Sequence, residues 1–153
     1  MAKQYWLMKT EPHVYSIDDL KKDKTTFWEG VRNYQARNNM RKMEKGDEVL
    51  FYHSQSQPPG VAGLAKIVKE AYPDHFAFDE KSKYFDAKSD PAKPRWDMVD
   101  VGFVEKFGDI VGLPEIKQVK ALEAMVLVNN SRLSVQPVRK AEFDRIVKMG
   151  RAR

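Results

Sequence analysis

The sequence contains no cysteine among its 153 residues. Without cysteine the chain can form no disulfide, offers no thiolate nucleophile and cannot build a cysteine-ligated zinc site. Histidine is also scarce, because only His13, His53 and His75 occur, and no two of them stand at the i, i+4 spacing typical of a metal site on a helix. We therefore expect neither a metal site nor a cofactor.

Long apolar runs and nucleotide-binding motifs are missing as well. No stretch approaches the roughly 20 apolar residues that cross a bilayer, and the start of the chain lacks the apolar segment of a secretory signal. The phosphate-binding pattern GxxxxGK and the dinucleotide pattern GxGxxG do not occur. These absences predict a protein without membrane contact, located in the cytoplasm or, in a eukaryote, in the nucleus.

Catalytic constellations are equally hard to find. His53 and Ser54 are adjacent, but neighbouring residues of a strand point to opposite faces, so they cannot form a nucleophile and base pair. The paired acids Asp18 and Asp19 lie at a helix start, where the helix dipole favours acids. We do not expect an enzyme.

The composition is that of one folded domain with a basic surface. Apolar residues make up 42% of the chain, which supplies ample core for a single domain over residues 1–153. Lysine and arginine number 27 against 22 acidic residues, which gives a net charge of +5. The isoelectric point near 9.3 is in the range of nucleic-acid binders. A solvated basic surface without such a partner is the alternative.

Apolar periodicity predicts both strands and helices. Period-two or continuous apolar patterns predict strands at residues 5–8, 47–54, 61–68 and 99–103. Helical signals predict a helix after Ser16, one over 33–45 ended by Gly46, short helical pieces at Pro114 and Leu122, and one containing Phe143, Ile146 and Val147. Gly63 indicates a bulge or a close backbone approach within an antiparallel pair, and residues 70–95 form a long structured loop.

These elements do not alternate as they do in a doubly wound sheet. We therefore predict a mixed α/β fold, a small barrel-like sheet flanked by short helices.

One segment combines the side chains that recognise nucleobases. Residues 27–35, with the sequence FWEGVRNYQ, place aromatic, cationic and amide groups around Gly30 at a turn. Aromatic rings stack on bases for about 1–3 kcal/mol each, amides read hydrogen-bonding edges and arginine contacts phosphates. The alternative for Trp28 is an ordinary place in the core.

The sequence resembles the EVE domain family over nearly its whole length. The strings that carry the resemblance, in chain order, are YWLMKTEP, WEGVRNYQARNNMR, FYHS, PRWDMVDVGFV and RLSVQPV. The resemblance implies a PUA-like fold, a pseudo-barrel of five to six strands flanked by short helices and related to the YTH domains that bind methylated adenine in RNA. It also implies a pocket that binds a modified base. The favoured ligand is a modified cytosine in DNA, and a modified base in RNA is the alternative.

The resemblance further implies which residues bind the base. Trp28 and Trp96 would sandwich it, Asn33 would read its edge, and the remaining base-binding positions would be Lys9, Thr10, Tyr34, His53 and Ser54. Arg32, Arg132 and Ser134 would contact the backbone or a phosphate. Thr10 stands where the family pattern has serine, and Asn39 stands where it has phenylalanine, a change that we expect at the surface.

Two other functions remain open at this point. Lys9, Arg32 and an aromatic wall also suit a pocket for a small anionic metabolite or a nucleoside, without a nucleic-acid partner. The chain could also act with a partner protein in an enzyme or repair complex. The oligomeric state is open, with a monomer as the default.

Overall fold

The computed structural model describes residues 3–130 and 132–153, which form a mixed α/β fold. Its strands are β1 (Tyr5–Thr10), β2 (Thr25–Phe27), β3 (Glu48–His53), β4 (Gly60–Pro73), β5 (Asp97–Gly112) and β6 (Val135–Val138). Its helices are α1 (Ile17–Asp23), α2 (Tyr34–Lys42), α3 (Leu113–Lys117), α4 (Val126–Asn129) and α5 (Lys140–Arg151). Short 3-10 turns occur at His75–Phe78 and Lys120–Leu122.

The strands form one six-stranded sheet in the order β2-β5-β4-β3-β1-β6. The pair β1 and β3 is parallel, and every other neighbouring pair is antiparallel. The outer strands β2 and β6 do not pair with each other within the described residues, so the sheet stays open. The predicted mixed α/β class, with five to six strands and short helices, is confirmed.

Both faces of the central strands are buried, as their continuous apolar sequence predicts. In β3, Val49 and Phe51 pack on the face covered by α1 and α2, whereas Leu50 and Tyr52 pack on the face covered by α5. Each helix contributes an apolar stripe, and the stripe of α5 includes Phe143, as predicted. The sheet is thus the middle layer of the molecule.

The hairpin of β3 and β4 has the predicted antiparallel pairing and irregularity. The register shifts between Phe51 and Tyr52, opposite Gly63. A Cβ atom on Gly63 would lie 2.3 Å from the carbonyl oxygen of Glu105, so only glycine lets β5 approach this closely. Strands β4 and β5 are both longer than predicted. Their outer parts carry polar residues that hide the period-two pattern.

Two other expectations need correction. Asn39 is buried, not at the surface, and its Nδ2 donates to the Val135 carbonyl oxygen over 2.7 Å, which ties α2 to β6. Helix α2 ends at Lys42, before Gly46. Within the residues that the structure describes, no helix combines the length and apolar character needed to cross a membrane.

Candidate functional site

A cleft of about 830 Å³ opens where β1 and β3 end. Because these two strands are parallel, their carboxyl ends meet at the same edge of the sheet, and Lys9, Thr10 and Ser54 form the cleft floor there. The turn at residues 27–32 forms one wall. Lys83 and Tyr84 from the loop between β4 and β5 contribute to the lining, as do Arg132 and Ser134, which precede β6.

Backbone hydrogen bonds hold the floor in place. The Ser54 N–H donates to the Thr10 carbonyl oxygen, and the Lys9 N–H donates to the Ser134 carbonyl oxygen, both over 2.9 Å. The Thr10 hydroxyl donates to the Tyr15 carbonyl oxygen over 3.1 Å, so its own oxygen can act towards a ligand only as an acceptor. Burial lowers the pKa of Lys9, whose Nζ lies 5.3 Å from the ring centre of Tyr52.

Asp74 holds the wall turn to the long loop. Its carboxylate is fully buried and accepts from the Gly30 N–H over 2.9 Å and from Arg32 Nη1 over 3.0 Å. Arg32 Nε and Nη2 donate to the Tyr84 carbonyl oxygen over 3.1 and 2.6 Å. One buried carboxylate and one guanidinium therefore join the turn to the loop segment that carries Tyr84.

Gly30 makes this junction possible. Its φ is +83°, a left-handed conformation that side chains disfavour. A Cβ atom there would lie 2.4 Å from the Tyr84 ring, so the ring packs directly on the glycine backbone. The turn needs glycine both for its conformation and for this contact.

Trp28 forms the aromatic wall of the cleft and belongs to the core at the same time. Its side chain is only 8% exposed, and its ring meets the edge of Phe51 at 5.6 Å and 87°. Its backbone N–H donates to the Val99 carbonyl oxygen over 2.8 Å, which fixes the turn against β5. At the cleft rim, Phe27 is 44% exposed and stacks on Phe76.

The structure does not bring Trp28 and Trp96 together as facing walls. Trp96 is buried outside the cleft lining, its Nε1 donates to Asp86 over 2.7 Å, and its ring stacks on Tyr34 at 4.8 Å. The space over this indole is therefore filled by the chain itself. Tyr34, also predicted in the pocket, is half exposed on that outer side.

Three further predicted residues have structural partners that account for them. Asn33 Oδ1 accepts from the Ala36 N–H over 2.9 Å and caps α2. His53 Nε2 accepts from the Ile17 N–H over 3.1 Å at the start of α1, and burial lowers the pKa of His53. Four of the five N–H donors of Arg32 bind acceptors within the chain, so its phosphate contact stays a prediction that at most one free N–H supports.

Sequence reasoning placed Lys9, Thr10, Trp28 and Ser54 at the site, and all four line the cleft. The predicted backbone or phosphate contacts Arg32, Arg132 and Ser134 line it as well. Their binding roles remain predictions. The sequence did not identify the loop residues Asp74, Lys83 and Tyr84, or Glu29 within the turn, as parts of the site. The length of the loop was a signal, but no local pattern identifies which of its residues return to the cleft.

Glu29 adds a carboxylate to the wall. It lines the cleft and is half-buried, and burial raises its pKa, with a smaller opposing effect from its own backbone N–H. In residues 3–130 and 132–153, no group of three or more carboxylate or histidine side chains is placed to hold a metal ion. The cleft thus offers aromatic, cationic, hydroxyl and carboxylate groups to a ligand.

Comparison with known proteins agrees with this architecture. Thymocyte nuclear protein 1 from Homo sapiens is 45% identical over 95% of this chain and 73% of its own length. A solved structure of a hypothetical protein from Leishmania major has a TM-score of 0.95 and 52% identity, covering 99% of this chain and 96% of that chain. The structure of the human THYN1 protein in complex with 5-methylcytosine-containing DNA has a TM-score of 0.92 and 44% identity, and the match covers 97% of this chain and 98% of that chain.

A more distant likeness concerns the fold alone. The YTH domain of Zygosaccharomyces rouxii MRB1 protein matches with a TM-score of 0.56 at 14% identity. The family model described as EVE domain matches residues 4–149. The chain therefore belongs to the EVE domain family.

Proposed function

We propose that this chain binds DNA carrying a modified cytosine, with 5-methylcytosine as the first candidate, and that the cleft holds the modified base. The observation that carries the proposal is the cleft itself, which is lined by the aromatic ring of Trp28 together with the polar residues Thr10 and Ser54. The DNA complex of the human relative, at 44% identity, supports DNA as the partner and 5-methylcytosine as the modification.

The size and lining of the cleft suit a base with part of its backbone. Small-molecule sites occupy about 300–1,000 Å³ and combine apolar walls with a few polar groups. A base stacked on an aromatic side chain gains about 1–3 kcal/mol. Lys9, Lys83 and Arg132 line the cleft and favour an anionic backbone.

Physical limits set the expected selectivity. One methyl group in an apolar site contributes about 1–3 kcal/mol, which is roughly a 10- to 200-fold preference over unmodified cytosine. A base inside a duplex must first leave the stack at a cost of a few kcal/mol. Single strands and weakened pairs should therefore bind more tightly than intact duplexes.

The test is a titration of labelled oligonucleotides that carry cytosine, 5-methylcytosine, 5-hydroxymethylcytosine or N6-methyladenine at one position. The proposal expects the 5-methylcytosine strand to bind at least about 10-fold more tightly than the cytosine strand. Equal affinities across the set would overturn the claim of modified-base binding. A thermal-shift screen with free nucleosides tests the alternative ligand, since only the nucleic-acid reader gains affinity from flanking phosphates.

The role of Trp28 is tested by Trp28→Phe, since Trp28→Ala would remove about 3–5 kcal/mol of core packing and threaten the fold. Trp6 is a control in the same apolar core, because it is 3% exposed and does not line the cleft, although its Nε1 also donates to Asp47 over 3.0 Å. We expect Trp28→Phe to reduce affinity for the 5-methylcytosine strand and Trp6→Phe to leave it unchanged. Equal losses would show that core packing, not stacking, determines the effect.

A further inference from the structure

Glu29 is a half-buried carboxylate in the wall of the cleft. It stands between Trp28, the aromatic wall, and Gly30, on which Tyr84 packs. The carboxylate makes no ion pair within the part of the chain that the structure describes, and its own backbone N–H supplies the hydrogen bond that lowers its pKa. This is an unusual position, because burying a carboxylate is costly unless donors surround it.

The neighbouring acid, Asp74, shows the contrast. Its two oxygens accept from the Gly30 N–H, Arg32 Nη1 and the Phe76 N–H, so its hydrogen-bonding capacity serves the fold. The negative charge of Asp74 opposes ionisation of Glu29, and the positive charge of Lys83 favours it. Among these groups, Glu29 is the acid whose acceptor atoms remain for a ligand.

We infer that the Glu29 carboxylate accepts a hydrogen bond from the exocyclic amino group of the bound base, so that the cleft selects amino-bearing pyrimidines over keto-bearing ones. The inference rests on the proposed function and adds to it the edge that is read. An ionised carboxylate only accepts hydrogen bonds, and in protein–DNA recognition glutamate and aspartate accept from the N4 amino group of cytosine.

A hydrogen bond to Glu29 would also distinguish 5-methylcytosine from thymine, which contact with the methyl group alone cannot do. Thymine and 5-methylcytosine carry the same methyl group at C5, so an apolar methyl contact cannot distinguish them. They differ at position 4, where 5-methylcytosine has an amino donor and thymine has a carbonyl acceptor. A carboxylate attracts the first and repels the second, so Glu29 would exclude thymine, which is far more abundant in DNA.

The experiment compares two DNA duplexes that differ only in the target base, 5-methylcytosine or thymine, each placed opposite an abasic site so that neither is paired. We expect the wild-type chain to prefer 5-methylcytosine by about 5- to 150-fold, the range for one specific base contact. Glu29→Gln should bring this ratio close to one, because an amide both donates and accepts and so matches either edge.

Glu123→Gln is the matched control. Glu123 is an exposed glutamate that does not line the cleft. This variant should keep the wild-type ratio. Thermal unfolding of both variants checks that they fold. The ratio of the wild-type affinities for the 5-methylcytosine and thymine duplexes tests the inference without any substitution.

The outcomes separate the inference from the function on which it rests. If the wild-type chain prefers 5-methylcytosine to cytosine but binds the thymine duplex equally well, the reading by Glu29 is overturned and the proposed function stands. The same holds if Glu29→Gln folds and keeps the wild-type ratio. If the wild-type chain binds none of the oligonucleotides, the proposed function fails and the inference fails with it.

Discussion

At the scale of single residues, the cleft depends on side chains that hold the backbone in unusual positions. Gly30 takes a left-handed φ under the Tyr84 ring, and Asp74 accepts from its N–H. His53 caps the first turn of α1 from the neighbouring strand. The shape of the site depends on each of these residues, whether or not the residue contacts a ligand.

The first prediction concerns Gly30→Ala. We expect this change to lower the free energy of unfolding by more than the roughly 1–2 kcal/mol that a left-handed φ costs an L residue, because the new Cβ also displaces Tyr84. Gly46→Ala is the control, since Gly46 has φ +96° but nothing within 4 Å of the added atom. Denaturant unfolding measures both, and equal losses would contradict the contact between Gly30 and Tyr84.

The second prediction concerns pH and His53. Burial lowers the pKa of His53 below its ordinary 6.5, so at and below that pH the unfolded chain binds more protons than the folded chain. Stability is therefore lost as pH falls through about 6.5 towards the folded pKa. We expect the melting temperature of the wild-type chain to fall more between pH 7.5 and 5.5 than that of His53→Gln. Parallel profiles would be evidence against a buried neutral imidazole.

The roles of single residues are the least predictable from the sequence. Asn33 was assigned to a base edge, yet it stands directly before the helix sequence YQARNNM, where asparagine is a preferred N-cap. That signal was present and points to a structural role. The placement of Trp96 against Tyr34 had no local signal, because it depends on where a distant loop returns.

At the scale of elements, the wall turn and the loop between β4 and β5 behave as one unit. Hydrogen bonds from Arg32 and Gly30 to Asp74, and from Arg32 to Tyr84, cross from one segment to the other. The sequence predicted most strands and helices correctly, since apolar period and capping residues are local properties. It could not predict this junction, whose partners are 42 to 52 residues apart.

The third prediction tests that junction with Asp74→Asn. Removing one charge of a buried ion pair lowers the free energy of unfolding by about 3–5 kcal/mol. We expect a loss of about 3 kcal/mol here, because the Arg32 side chain is 23% exposed. The loop should also become more sensitive to limited proteolysis. Asp144→Asn, which removes an exposed ion pair with Lys140 on α5, should cost less than about 1 kcal/mol. Similar losses in the two variants would contradict a junction held by Asp74.

At the scale of the whole molecule, the cleft lies at one edge of the sheet and collects positive charge there. Lys9, Lys83 and Arg132 line it, whereas α5 packs on the face opposite Trp28. The net charge of +5 indicated a basic surface but not its location. The parallel pair of β1 and β3 determines that location, because it brings two strand ends to one edge.

The fourth prediction concerns salt. If Lys83 contacts one phosphate of a single strand, Lys83→Gln should reduce the slope of log affinity against log salt by about 0.7 and leave the preference for 5-methylcytosine over cytosine unchanged. Lys148→Gln is the control, since Lys148 is exposed on α5, away from the cleft. Affinity titrations at several salt concentrations measure both slopes. An unchanged slope for Lys83→Gln would remove that phosphate contact from the binding surface.

A crystal structure of this chain with an oligonucleotide that carries one 5-methylcytosine would show directly whether the cleft holds the modified base. We predict density for the modified base inside the cleft, against the Trp28 ring and above Thr10 and Ser54. Density for the DNA on another surface, with the cleft empty, would contradict base binding in the cleft.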